Sequence, residues 1–371
     1  MTRPTCRPPG SSGKAGLRPA TAVELDLLTG LVGIPSPSGQ EEQAARWLRS
    51  VMTELGIQAY QDDAGNVIGK VGSDGDANPA DAIYLLGHID TVAGYWRPTL
   101  EQGRLSGRGA SDAKGPMAAF IAATVRARDS GRLSRPVLIL GAVEEERSSA
   151  GARHLATTLP PPAFLVVGEP SGCDRVVVGY LGRLRFRLEV SRPASHSSAP
   201  AATASELAIE GWMAMRGLVD ELNSGRTGFD SIHLRLLGFQ SATDGLTDRA
   251  ELTVGLRLPP TSPPTETMNQ LQSRIAGRSW YFDAAEPAVV LPRTGRLPAA
   301  FARAIRDSGM RPGWQRRLAT SDLNVVWPSW RCPAVVYGPG DSELDHTPAE
   351  SISVEDYGRA ISVLAQVLTE L

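Results

Sequence analysis

The sequence predicts an α/β fold interrupted by an inserted α+β unit. Three observations carry that reading. Short apolar runs at Ala82–Gly87, Val137–Val143 and Phe164–Gly168 are separated by helical stretches, as expected for buried strands with helices on the faces of the sheet. From about Tyr180 the strands change: Leu184, Phe186, Leu188 and Val190 alternate with Arg185, Arg187 and Glu189, so one face is wet. Near Ala299 the first texture returns. The expected division is a tail at 1–20, a main α/β domain at 21–179 and 289–371, and an inserted domain at 180–288.

In chain order, Val23 to Val32 has helical apolar spacing and ends before Gly33 and Pro35. Ser38 followed by Glu41 reads as a capping box opening a helix that runs to Leu55 and stops at Gly56. A small-residue helix is expected from Ala113 to Arg128. In the insertion a helix at about Ala204–Leu222 follows the first strand. Ile232, Leu234 and Leu236 alternate, as do Leu252, Val254, Leu256 and Leu258. A helix at Glu266–Ile275 and a strand near Trp280–Phe282 complete the order β-α-β-β-α-β, that of a ferredoxin-like sandwich. A helix at Ala299–Ser308, a strand at Ala334–Tyr337 and a closing helix from Val354 finish the chain.

Composition narrows the function. The 371 residues exceed one ordinary core and fit about two domains. A net charge of −2 gives no basic field for nucleic acid. Only Lys14, Lys70 and Lys114 are lysine, so arginine carries nearly all the positive charge, as in a chain from a GC-rich genome. Cys6, Cys173 and Cys332 are too scattered for a disulfide framework or a cysteine zinc knuckle. No apolar run spans a membrane. The first twenty residues, rich in Pro, Gly, Ser and Arg, read as a disordered tail without the apolar core of a signal peptide. A reducing cytoplasm is the expected location. No G-x-S-x-G elbow occurs, and Gly10–Lys14 lacks the spacing of a phosphate-binding loop.

Chemistry concentrates in a few acidic and histidine positions. His88 ends an apolar strand, and Asp90 two residues on points to the same face, where a carboxylate can orient the imidazole. By itself the pair suits a metal ligand and a stabilising strand-end contact about equally. Asp112 lies at a loop-to-helix junction, where a lone Asp is usually an N-cap. Glu144, Glu145 and Glu146 follow the apolar strand Val137–Val143, and such a run repels itself unless a cation sits nearby. Glu169 follows another strand, and His346 lies in Asp345-His346-Thr347-Pro348. Ligand sites of open α/β sheets gather at strand carboxyl ends. His88, Asp112, Glu146, Glu169 and His346 can therefore converge. Imidazoles and carboxylates without thiolates suit zinc, with cobalt or manganese as alternatives. An odd central carboxylate suits a bridge between two metals about 3.5–4 Å apart.

The segments GHIDTV, GRGASDAKG, EEE, GEPSG and DHTP, in this order, resemble the metallopeptidase family of aminoacylase, glutamate carboxypeptidase, acetylornithine deacetylase and succinyl-diaminopimelate desuccinylase. The match covers nearly the whole chain after residue 20. The resemblance implies a zinc-exopeptidase-like catalytic domain, a mixed sheet with helices on both faces, holding two divalent ions, zinc or cobalt. It implies His88 and Glu169 on one metal, Glu146 and His346 on the other, and Asp112 bridging. It further implies Asp90 orienting His88, Glu145 as general base, and an insertion that serves as lid and dimerising domain. His196, in Ala-Ser-His-Ser-Ser, resembles a lid histidine that reaches a neighbouring subunit's site and steadies the oxyanion; on its own it reads as a polar loop residue. Arg257 matches an arginine that grips a substrate carboxylate, and otherwise sits on a wet strand face. His154 and His233 read as structural.

Within the family, Lys114-Gly115-Pro116, Thr320–Asn324 and Tyr337–Pro348 look most like hydrolases that release lysine or ornithine from a small acidic amino-group carrier protein. There the scissile bond joins the carrier's terminal glutamate side chain to the α-amino group of the amino acid. A deacylase of acetylornithine or succinyl-diaminopimelate type, and a metal-dead binding protein, are the alternatives. The intact set from His88 to His346 argues against the latter.

Overall fold

The computed structural model describes residues 18–72 and 79–371. Most of the expected tail, with Cys6, lies outside the described residues. Its last part is held: the Pro19 carbonyl accepts from Arg126 and the Arg18 carbonyl from Ser362.

The chain forms two compact units. The first runs to Val178 and resumes over Leu291–Gln315 and Val325–Leu371; the second comprises Gly179–Val290 and Arg316–Asn324. In chain order the first unit contains α1 (Ala22–Val32), α2 (Glu42–Glu54), β1 (Gln58–Gln61), β2 (Val67–Val71), β3 (Ile83–His88), β4 (Thr99–Glu101), β5 (Arg104–Ser106), α3 (Lys114–Asp129), β6 (Val137–Ala142), α4 (Ala150–Thr158), β7 (Phe164–Val167) and β8 (Arg175–Tyr180). The second unit follows as β9 (Gly182–Pro193), α5 (Ala204–Leu222), β10 (His233–Thr243), β11 (Thr247–Leu258), α6 (Pro264–Arg274) and β12 (Ser279–Glu286). The remainder is β13 (Val289–Val290), α7 (Arg296–Asp307), β14 (Gly313–Arg317), α8 (Asp322–Trp330), β15 (Ala334–Val336), β16 (Ser351–Ser353) and α9 (Val354–Glu370).

The main sheet is mixed, as expected, and runs β1-β2-β6-β3-β7-β15-β8. Its centre, β6-β3-β7-β15, is parallel and buried on both faces, which is why these strands read as unbroken apolar runs. α3 lies against β3 and β6 and packs on α1 and α9. Its approach is close at two glycines, and at Gly168 it leaves no room for a Cβ. A Cβ at Gly168 would lie 2.6 Å from a Phe120 ring atom, and one at Gly87 would lie 3.0 Å from Met117 Cε. Gly87 is the penultimate residue of β3, before His88, and Gly168 follows β7, before Glu169, so the helix lies close to the ends of both strands. A separate sheet, β16-β5-β4, ties the loop after β5 to the chain before β16.

The expected capping box at Ser38 and Glu41 does not form. Helix α2 starts at Glu42, and Glu41 makes no side-chain cap bond. Both side chains are engaged elsewhere: Ser38 Oγ donates to Asp90 Oδ2 at 2.7 Å, and Glu41 Oε1 accepts from the Gly39 and Glu144 amides. Reciprocal capping boxes do occur at Thr21–Glu24 and Thr203–Glu206, opening α1 and α5.

The second unit is a four-stranded antiparallel sheet in the order β10-β11-β9-β12, the ferredoxin-like arrangement. Alternation along β9 and β11 sends Leu184, Phe186, Leu188, Val254 and Leu256 into a core closed by α5 and α6.

Candidate active site and metal centre

The site grows from the carboxyl ends of three adjacent parallel strands. β3 ends at His88 and leads to Asp90; β6 leads through Val143 to Glu144, Glu145 and Glu146; β7 leads to Glu169. Asp90, fully buried, is the hub. Its Oδ1 lies 3.4 Å from His88 Nδ1 and accepts from the Glu145 amide at 3.0 Å; its Oδ2 accepts from the Glu146 amide at 3.1 Å. Burial works against its charge, but the bonds from His88, Ser38 and Glu146 outweigh that and lower its pKa. Asp90 thus holds the imidazole of β3, whose Nδ1 is 3.0 Å from its backbone carbonyl, and through its carboxylate the glutamate loop after β6.

Asp112 lies between two imidazoles. His88 Nε2 is 3.1 Å from its Oδ1 and His346 Nε2 is 3.1 Å from its Oδ2; His346 Nε2 is also 2.8 Å from Glu146 Oε1. Ligand atoms of His88, Asp112 and Glu146 all lie within 4.8 Å of one another. Asp112 thus presents one oxygen to each of two histidines, the buried His88 and the half-exposed His346. Glu169 is half-buried at the end of β7, in line with His88 by the β3–β7 register. His346 has φ +62°, a left-handed conformation costly for a residue with a Cβ and held here by its surroundings.

The electrostatics ask for a cation. Burial alone would lower the pKa of His88, yet Asp112 and Asp90 raise it well above the usual histidine value. Hydrogen bonds to Asp112 and Glu146 push His346 up to about 10. Asp112 itself, though buried, is held far below the carboxylate range by the two imidazoles. A divalent ion bound by these nitrogens and oxygens would replace the protons. The donor set, imidazole and carboxylate with no thiolate, fits such an ion.

Some supporting residues were missed by sequence reasoning. Glu350, buried before β16, accepts the Ser111 and Asp112 amides on Oε1 at 3.1 and 3.2 Å and receives Arg108 on Oε2 at 2.6 Å. It therefore fixes the backbone from which Asp112 projects. Its signal was a lone acid just before a short alternating strand, four residues after His346. Asp345 also escaped notice. Burial and the Asp112 charge raise its pKa to about 8, and its Oδ1 is buried without a hydrogen bond.

The two remaining candidates belong to the second unit. His196 is exposed in the loop after β9, with Nδ1 2.7 Å from Ser198 Oγ. Arg257, half-buried on β11, donates to the Thr320 hydroxyl. His154 lies 3.7 Å from Asp62, and His233 Nε2 is 2.9 Å from the Gly228 carbonyl, both local structural contacts.

The profile of peptidase family M20/M25/M40 matches residues 84–370. A LysW-lysine hydrolase of Deinococcus radiodurans is 37% identical over 95% of this chain and 98% of its own length. A putative LysW-lysine/LysW-ornithine hydrolase of Pyrococcus abyssi is 37% identical over 94% of each chain. Among solved structures, aminopeptidase PepT of Bacillus cereus superposes with a TM-score of 0.75 at 18% identity, covering 94% of this chain and 97% of its own. An M20 family metallo-carboxypeptidase of Sulfolobus solfataricus gives 0.74 at 18%, covering 94% and 98%.

Proposed function

The chain belongs to peptidase family M20/M25/M40, and from that premise we propose that it is a metal-dependent amide hydrolase. Its substrate is the amide between a carrier protein's C-terminal glutamate side chain and the α-amino group of lysine or ornithine. The substrate assignment rests on relatives at 35–37% identity named as hydrolases of LysW-linked lysine or ornithine. The observation that carries the chemistry is the Asp112 carboxylate, shared between His88 and His346 with Glu146 alongside.

In this reading His88 and Glu169 hold one divalent ion, Glu146 and His346 a second, and Asp112 both. Zinc suits the donors best, with cobalt next. Such ions supply a Lewis acid for the amide carbonyl and lower the pKa of water. Glu145 lies close enough to influence His88 and is held by its amide on Asp90. It takes the attacking water's proton on a carboxylate oxygen and returns it to the leaving nitrogen. Arg257 binds a substrate carboxylate. A homodimer through the second unit is favoured by exposed Leu236 and Phe239 on edge strand β10 and exposed Ile209 and Met213 on α5. His196 would then reach the partner's site and steady the oxyanion.

The test is an assay of purified protein on carrier-linked lysine, carrier-linked ornithine, acetylornithine and succinyl-diaminopimelate, with metal content measured alongside. Carrier-linked substrates should be cleaved fastest, with about two ions per chain. Preference for a small acyl substrate would replace the carrier reading, and full activity with one ion would remove the two-metal mechanism.

A further inference from the structure

A cleft of about 310 Å³ opens in the first unit. Its buried lining includes Lys114, Arg108 and Thr91, and its rim includes exposed Gln40, Gln43 and Tyr95. Thr91 follows Asp90 in the chain, and Lys114 comes two residues after Asp112. The cleft therefore borders the metal centre through the backbone, while none of the side chains assigned to the metals lines it.

The balance of donors and acceptors sets this cleft apart. Lys114 has three N–H groups and is 1% exposed. One donates to the Ile34 carbonyl at 2.5 Å; among the described residues the other two have no acceptor. Arg108 uses Nε on the Gly94 carbonyl at 3.2 Å and Nη1 on Glu350 at 2.6 Å, and its Nη2 makes no hydrogen bond to a described residue. Neither does the Thr91 hydroxyl. No acid lines the cleft. The carboxylates near enough to act on Lys114, Glu350 and Asp90, are engaged elsewhere. Glu350 takes Arg108 and two amides, and Asp90 takes Ser38 and two amides.

A buried ammonium with unmet donors is costly. A carboxylate removes that cost, because its two oxygens can accept from several donors at once and its charge meets the cations. Tyr95, tied through its hydroxyl to the Gly33 carbonyl at 3.1 Å, adds a ring at the rim. The volume lies at the small end of ligand clefts, which run from about 300 to 1,000 Å³. A free amino acid fits poorly, since its ammonium group would meet two cations and no lining acid. We propose that this cleft binds a small monocarboxylate lacking an ammonium group, held by Lys114, Arg108 and Thr91.

The metal-loaded, full-length protein tests this with para-fluorobenzoate, followed by fluorine NMR line broadening. The wild type should bind it, more weakly as NaCl rises. Acetate should displace it, and glycine at the same concentration should not. Lys114→Met should bind about 10–100-fold more weakly, the scale of a lost charge-assisted hydrogen bond. The exposed pair Gln40→Glu/Gln43→Glu leaves the interior untouched, and its added charges should weaken binding about tenfold. Binding that is unchanged in the rim variant and disappears when a chelator strips the metals would place the ligand on the metal centre and overturn the proposal. A wild type that binds no para-fluorobenzoate would overturn it too, leaving the cleft to water. Stronger displacement by inorganic phosphate than by acetate would overturn the carboxylate assignment, and displacement by glycine as strong as by acetate would overturn the exclusion of ammonium groups.

Discussion

In the second unit, Leu184, Phe186 and Leu188 point into a core while Arg183, Arg185 and Arg187 point out, and α5 opens with a reciprocal capping box. Around the strand ends of the first unit, Asp90, Asp112 and Glu146 crowd two histidines, and Glu144 and His346 adopt positive φ. The same chain follows local rules in one region and breaks them in another. Packing explains the first region. In the second, clustered carboxylates and positive-φ residues are costs that a bound ligand would offset. Substitutions should therefore change stability in the sheet-and-helix unit and chemistry at the strand ends.

Glu145→Gln offers the largest effect. It should lower turnover by about two to four orders of magnitude while metal content and melting temperature stay near wild type. A matching loss of metal would move the base to a neighbouring glutamate. Phe186→Ala is the counterpart in the other region. Phe186 is fully buried against Trp280, with ring centroids 4.9 Å apart, so its truncation should cost about 3–5 kcal/mol by denaturant titration. Metal bound per folded chain should not change. If Phe186→Ala emptied the metal site in the folded protein, the two regions would not be separable.

Glu350→Gln probes the support behind Asp112 within the first unit. The amide keeps the shape and an acceptor oxygen but loses the charge that meets Arg108 and the Ser111 and Asp112 amides. Metal affinity should fall about 10–100-fold, the scale for groups that orient ligands, as read by competition with a chelator. An unchanged affinity would make Glu350 a purely structural acid.

The fold was largely legible because its periods are pure. Two-face burial in β3, β6 and β7 and alternation in β9 and β11 gave the fold class and the ferredoxin-like order. The site was legible only in part. Side chains at strand ends announce themselves by following apolar runs, as His88 and Glu146 do. Ser38 and Glu41 misled because the spacing of a capping box is also the spacing that lets two residues reach Asp90 and the Glu144 amide. Thr21–Glu24 and Thr203–Glu206 have the same local signature and do cap, so tertiary partners decide between the two outcomes. Glu350 was hidden because its partners, Arg108 and the Asp112 amide, lie over two hundred residues away in sequence.

Two carboxylates with opposite environments give the smallest effects and the sharpest contrast, in metal-free protein. Burial of Glu24 in the scaffold raises its pKa, but hydrogen bonds from Arg126 and the Thr21 amide more than offset this, so it titrates below the ordinary 4.5. Its contribution is present above the unfolded value and lost as pH falls through the folded one. Glu24→Gln should therefore cost about 1–2 kcal/mol at neutral pH, with the gap from wild type closing in acid. Asp345 at the site is the reverse. Burial, reinforced by the Asp112 charge, raises it to about 8. The folded state then holds a proton that the unfolded state releases, and stability declines as pH rises from about 4 to about 8. Asp345→Asn keeps the shape without the ionisation. It should match wild type near pH 4 and become the more stable protein at pH 8, by about 1 kcal/mol. Melting curves of both variants across this range check the signs together. If Asp345→Asn melted lower than the wild type at pH 8, this buried acid would be stabilising as a charge, and the strand ends would not be the region that trades stability for ligand binding.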